Sequence, residues 1–105
     1  MKLMTKAIQE KAEKQYDEGS DLEQKVVAKY FDPTGSWKWF LMNKHKDDDY
    51  CWGIVKGNAI EMGSFSIKEL ENIKLPFGLT IERDTSFKPM KAKDVWDALN
   101  RGEHV

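Results

Sequence analysis

Cysteine is nearly missing from this chain: Cys51 is the only one among 105 residues. No intramolecular disulfide can form, which fits a reducing compartment and excludes a small disulfide-stapled scaffold. No apolar run approaches the ~20 residues of a membrane-spanning helix, so no membrane partner is expected. The opening stretch MKLMTKAIQEKAEK lacks the apolar segment of a secretory signal, and the expected location is cytoplasmic. An excess of one charge is missing too. Seventeen Lys and Arg against eighteen Asp and Glu leave a formal net charge of −1. No global field then draws the chain to nucleic acid, and any such binding would need a local basic patch. There is no G-x-S-x-G, no P-loop and no H-E-x-x-H, so the common enzyme signatures are absent. The balance falls toward a non-enzyme, with no cofactor and no metal expected.

What is present reads as one globular domain over residues 1–105, since a third of the residues are charged and the apolar fraction is ordinary. Residues 5–17 predict a first helix. Thr5 is placed to cap it, Met4, Ile8, Ala12 and Tyr16 form an apolar stripe, and Gly19 is placed to stop it. KVVAKYF (25–31) is β-branched and aromatic, DPTGS (32–36) is turn chemistry, and WKWFLMNK (37–44) is the return strand. YCWGIVKG (50–57) and AIEMGSFS (59–66) continue the meander through a Gly57–Asn58 turn. Ser66 and Glu69 fit a capping box that opens a short helix over 66–73. Residues 74–89 are punctuated by Pro76, Gly78 and Pro89 and predict irregular to extended chain, with a short strand near Leu79–Arg83. Ala92, Val95, Trp96 and Leu99 have helical spacing within a last helix over 90–102. The expected fold is α+β: an antiparallel meander of about four strands with three helices packed mainly on one face.

Pairing across the 32–36 turn places Val26, Ala28 and Tyr30 on one face with Trp37, Trp39 and Leu41. That face carries no charge and is the expected core. The other face mixes Val27, Lys29, Phe31, Lys38, Phe40 and Met42. Lysines interleaved with rings are the chemistry of a single-strand binding sheet, so Lys29, Phe31, Lys38 and Phe40 are candidate binding residues for nucleic acid.

Three stretches, FDPTGSWKWFL, WGIVKGNAIEMGSFSIKEL and GLTIERDTSFKP, resemble in that order a small single-domain family, domain of unknown function 2958. The resemblance runs from KLMTK to FKP. It is most specific in the W-x-W strand, the E-x-G-x-F-S-x-x-E-L join and the I-E-R-D turn. Similar proteins are often encoded on plasmids, conjugative transposons and phages. The resemblance therefore implies a mobile-element accessory protein, and it supplies no reaction and no active site.

The remaining chemistry is in three clusters. Glu82, Arg83 and Asp84 offer an acid/base pair beside an anion clamp, the core of a small hydrolase, or else a tether for the long segment after Pro76. In an extended segment Glu82 and Asp84 point one way and Arg83 the other, so the partner of Arg83 is expected elsewhere. HKDDD (45–49) lacks the spacing of a calcium loop and reads as a solvated hairpin tip. Cys51 inside a strand reads as an inert, partly buried thiol. The favoured function is a non-enzymatic protein-binding module of a mobile element with a host or element-encoded protein as its expected partner; the genetic setting that the resemblance implies makes an anti-defence or transfer-accessory role the hypothesis. Nucleic-acid binding through the Lys/Phe face and a hydrolase at Glu82–Asp84 are the alternatives. Oligomeric state is not encoded legibly.

Overall fold

The computed structural model describes residues 2–105. Helix α1 spans Lys6–Lys14, and the Thr5 hydroxyl accepts from the Ile8 N–H at its start. A 3₁₀ turn, Tyr16–Glu18, follows and ends at Gly19 with φ 52°. Strands β1 (Lys25–Val26), β2 (Ala28–Phe31), β3 (Lys38–Lys44), β4 (Tyr50–Lys56) and β5 (Ile60–Ser66) come next. Then come α2 (Ile67–Asn72), β6 (Glu82–Arg83), β7 (Met90–Lys91) and α3 (Ala92–Asn100). The main sheet has five antiparallel strands in the order β5-β4-β3-β2-β6. The expected meander is therefore there, extended at one edge by β6. A two-stranded sheet joins β1 to β7.

Two apolar clusters lie on the two faces of the main sheet. On one face Ala28, Tyr30, Trp39, Leu41, Cys51 and Phe65 pack with Ala12 of α1, Ile67 and Leu70 of α2, and Leu3. The Tyr30 hydroxyl, fully buried, donates to the Leu3 carbonyl at 2.8 Å, which satisfies a polar group that would otherwise be costly there. On the other face Phe40, Met42 and Ile54 pack with Ala92, Val95 and Leu99 of α3.

Three expectations change. The strand over 25–31 is broken at Val27, whose N–H donates to the Leu41 carbonyl. Val26 consequently leaves the face of Ala28 and Tyr30 and packs with Phe40 under α3. The two tryptophans share a face, with ring centroids 5.9 Å apart, but differ in depth: Trp39 is core at 8% exposed, while Trp37, at the end of the sheet, is 40% exposed. The Lys/Phe face is not open along its length. Phe40 and Met42 are completely buried, because the apolar stripe of α3 needs a cover and the middle of that face supplies it.

Candidate functional site

Antiparallel partners share a face. The register pairs Lys29 with Phe40, Phe31 with Lys38, and Lys38 with Lys56, so these five side chains lie on the α3 side of the sheet. Phe40 is sealed there, with the Phe87 ring 6.4 Å from its own. It cannot offer its ring to a ligand. Lys29, Phe31 and Lys38 instead line a depression of about 230 Å³, together with Trp37, Asp84 and the Asp32–Gly35 turn.

Asp84 is held firmly in this wall. Its N–H donates to the Lys29 carbonyl at 2.9 Å, and its carboxylate lies 3.4 Å from the Lys29 ammonium. The same carboxylate accepts from the Ser86 N–H, so Asp84 also builds the turn after β6. Lys38 is less well provided for: its ammonium reaches the Val105 carbonyl oxygen at 3.4 Å. Burial, then the neighbouring Lys29 and Lys56, hold its pKa below the ordinary lysine value, while Asp84 acts in the opposite direction.

The three charges of the I-E-R-D stretch do not converge. Glu82 pairs with Phe31 and so faces the α3 side, whereas Arg83 pairs with Tyr30 and faces the other. The Arg83 Nε donates to the Lys2 carbonyl at 3.2 Å, tying the N-terminal segment to the edge of the sheet. That places the guanidinium across the sheet from the Glu82 and Asp84 carboxylates.

The remaining reactive side chains are occupied structurally. Cys51 is 1% exposed, and burial pushes its thiol from 9.0 up to about 12. The His45 ring packs edge-on against Tyr16 at 5.0 Å, and its Nδ1 accepts from the Asp47 N–H. Asp48 accepts from the Tyr50 N–H, and Asp49 from the Ser66 hydroxyl and the Lys68 N–H. These carboxylates shape the hairpin tip and the start of α2.

One surface feature was not singled out by the sequence. Between α2 and β6 the chain folds into a tight turn, with the Leu75 N–H donating to the Leu79 carbonyl and the Leu79 N–H to the Pro76 carbonyl. Phe77 and Gly78 at its centre both have positive φ, 63° and 72°. Among the described residues Phe77 is the one non-glycine residue in this conformation. A side chain there costs about 1–2 kcal/mol, which is why Gly and Asn normally fill such positions. Phe77 offsets none of that by burial, being 96% exposed, and Ile73 and Leu79 beside it are also exposed. The signal was Pro-Phe-Gly, a turn tripeptide with an aromatic where a small polar residue belongs.

The family model described as "Protein of unknown function (DUF2958)" matches residues 2–103 of the chain. The chain belongs to this family. No curated protein and no solved structure matches it. In this DUF2958 chain the motif residues are largely joints of the fold. Ser66 caps α2 by accepting from the Glu69 N–H, and Phe65 and Leu70 on either side of that cap are core. Ile81 of the I-E-R-D stretch is buried against the same cluster. The W-x-W pair divides its work, Trp39 inward and Trp37 at the rim of the depression.

Proposed function

We propose that this DUF2958 protein is a non-enzymatic binding module that grips a partner protein through Phe77. One observation carries the proposal: a phenylalanine held in a disfavoured backbone conformation with its ring in solvent. Unfavourable local geometry without a packing gain is characteristic of a contact site, where the benefit arrives with the partner. An aromatic knob flanked by Ile73 and Leu79 suits an apolar socket, and such anchors carry most of the energy of an interface. The burial of Cys51 and the separation of Arg83 from Glu82 and Asp84 support a binding role over hydrolysis. The mobile-element setting that the family resemblance implies makes the partner a host or element-encoded protein, and the role an anti-defence or transfer accessory in the cytoplasm.

The test is affinity capture from a host strain carrying the element, with wild-type protein and Phe77→Asn compared. Loss of a central aromatic anchor costs about 2 kcal/mol or more, roughly a thirtyfold weakening. Asn tolerates positive φ, so the same variant is expected to gain about 0.5–1 kcal/mol in stability. A partner retained equally by Phe77→Asn, or exchange protection on binding that spares residues 73–79, would overturn the proposal.

A further inference from the structure

A second depression, on the face of the sheet that carries Trp39, shares no residue with the Phe77 turn. It measures about 240 Å³ and is lined by Trp37, Val55, Gly57, Asn58, Ala59 and Glu61. The register brings these residues together. Trp39 pairs with Val55 on β4, and Val55 with Glu61 on β5, so the three stand in one row across that face. Trp37 lies beside this row, its ring centroid 5.9 Å from that of Trp39 and the two planes tilted by 32°. A Cβ on Gly57 would come within 2.4, 2.5 and 2.7 Å of Cη2, Cζ3 and Cζ2 of the Trp37 indole. Near-equal distances to three adjacent ring atoms put the face of the ring, not its edge, against the glycine. With Gly57 beneath it and Trp39 beside it, the half-exposed indole keeps its outer face toward solvent.

Glu61 carries the one charge in this lining. It is exposed, and among the described residues no Lys, Arg or His nitrogen lies within 4.0 Å of its carboxylate. Lys56, next to Val55 on β4, points to the α3 side and donates to the Ser36 carbonyl at 3.4 Å, so it does not neutralise Glu61. A carboxylate beside an open indole is complementary to a cation. Among protein cations a guanidinium fits best: it is flat enough to stack on the ring, and its fork of N–H groups matches a carboxylate. An ammonium is a compact point charge that holds its water more strongly. The depression is smaller than the ~300 Å³ at which pockets begin to engulf a drug-sized ligand, so it has room for one side-chain head. Glu61 also stands on an edge strand, since β5 pairs with β4 alone. The outer side of such a strand presents main-chain donors and acceptors to which an extended chain can add.

We propose that this depression binds the guanidinium of an arginine side chain, presented by a polypeptide segment extended along the free edge of β5. The guanidinium stacks on Trp37 and bonds to Glu61.

The experiment is a titration of the ¹⁵N-labelled full chain at low salt with four probes: free arginine and three capped alanine pentapeptides with arginine, lysine or citrulline at the centre. The arginine peptide is expected to shift the amides of Trp37, Gly57, Asn58 and Glu61, with the neutral citrulline peptide at least about tenfold weaker and the lysine peptide between them. Glu61→Gln should weaken the arginine peptide about tenfold, as loss of a charge-assisted bond does. Trp37→Leu should weaken it about threefold, and Gly57→Ala, which keeps both side chains but displaces the indole, should act in the same direction. Equal affinity for the three peptides, no shifts with any probe, or an arginine peptide held as tightly by Glu61→Gln as by the wild type overturns the proposal. Free arginine bound as tightly as its peptide overturns the assignment to a polypeptide segment.

Discussion

Gly53 and Gly57 both stand where a methyl group has no room, yet they are not equivalent. A Cβ on Gly53, in the middle of β4, would overlap the backbone carbonyl of Phe40 on β3. The obstruction is main chain in the centre of the sheet and cannot step aside. A Cβ on Gly57 would meet only the outer atoms of the Trp37 indole, a half-exposed side chain that can turn away. Gly53→Ala is therefore expected to cost about 3 kcal/mol or more, at the upper end of overpacking. Gly57→Ala should stay within about 1 kcal/mol, because a flexible neighbour relieves the strain. Urea denaturation measures both. Gly57→Ala should also change the tryptophan emission, since Trp37 leaves its resting place. Equal stability losses for the two would show that the indole is as fixed as the backbone.

At the scale of elements, α3 begins without a side-chain cap at Lys91. Its first free N–H groups are instead taken by the loop that precedes β1: Ala92 donates to the Gln24 carbonyl at 2.8 Å and Lys93 to the Leu22 carbonyl at 2.9 Å. That loop is in turn held by β3. Asn43, buried beside the register shift in β3, donates to the Gln24 side-chain oxygen and to the Gly19 carbonyl, each at 2.9 Å. Asn43→Ala removes both bonds and takes the donor from the buried Gln24 side-chain oxygen, while the Gly19 carbonyl keeps the Gln24 amide, at an expected cost of about 1–3 kcal/mol. Its signature is that amide exchange should rise first at Ala92 and Lys93, which Asn43 does not touch. Exchange that rises only around residues 41–44 would contradict this relay. The three main helices, the β2–β5 meander and the Thr5 and Ser66 caps were legible from the sequence, because periodicity and cap chemistry are local. The pairing of β1 with β7 was not, since two-residue strands far apart in sequence leave no periodic trace. The burial of Phe40 was missed for a related reason. Lysines near the ends of strands made the whole face read as solvated, although only its end is. The convergence of Lys29, Phe31, Lys38 and Asp84 followed from alternation once register was known, whereas the exposure of Phe77 depends on a turn conformation that its residue type disfavours.

At the scale of the whole molecule, two weak acids are committed to the same interior. Tyr30 and Cys51 both belong to the cluster beneath α1 and α2, and burial is the first cause of the upward shift in each. Their ordinary pKa values are 10.0 and 9.0, so the unfolded chain ionises at pH values where the folded chain does not. A raised folded-state value means that the stability is fully present below the unfolded value and is lost as pH rises toward the folded one. For Cys51 that window runs from 9.0 to about 12, and Tyr30 extends the loss further into alkali. The decline should amount to a few kcal/mol in total, on the order expected for buried groups of this kind. It operates on the whole fold because the phenol bonded to the Leu3 carbonyl and the thiol share one packed face. Urea midpoints are therefore expected to stay level from neutral pH to about pH 9 and then fall. Cys51→Ala removes the earlier titration, so its midpoint should fall later, from about pH 10, where the phenol begins to act. Thiol labelling supplies an independent check: Cys51 should react only at the rate of global opening. Rapid labelling of the folded protein at neutral pH, or a midpoint that does not fall in alkali, would show that these two groups are solvated.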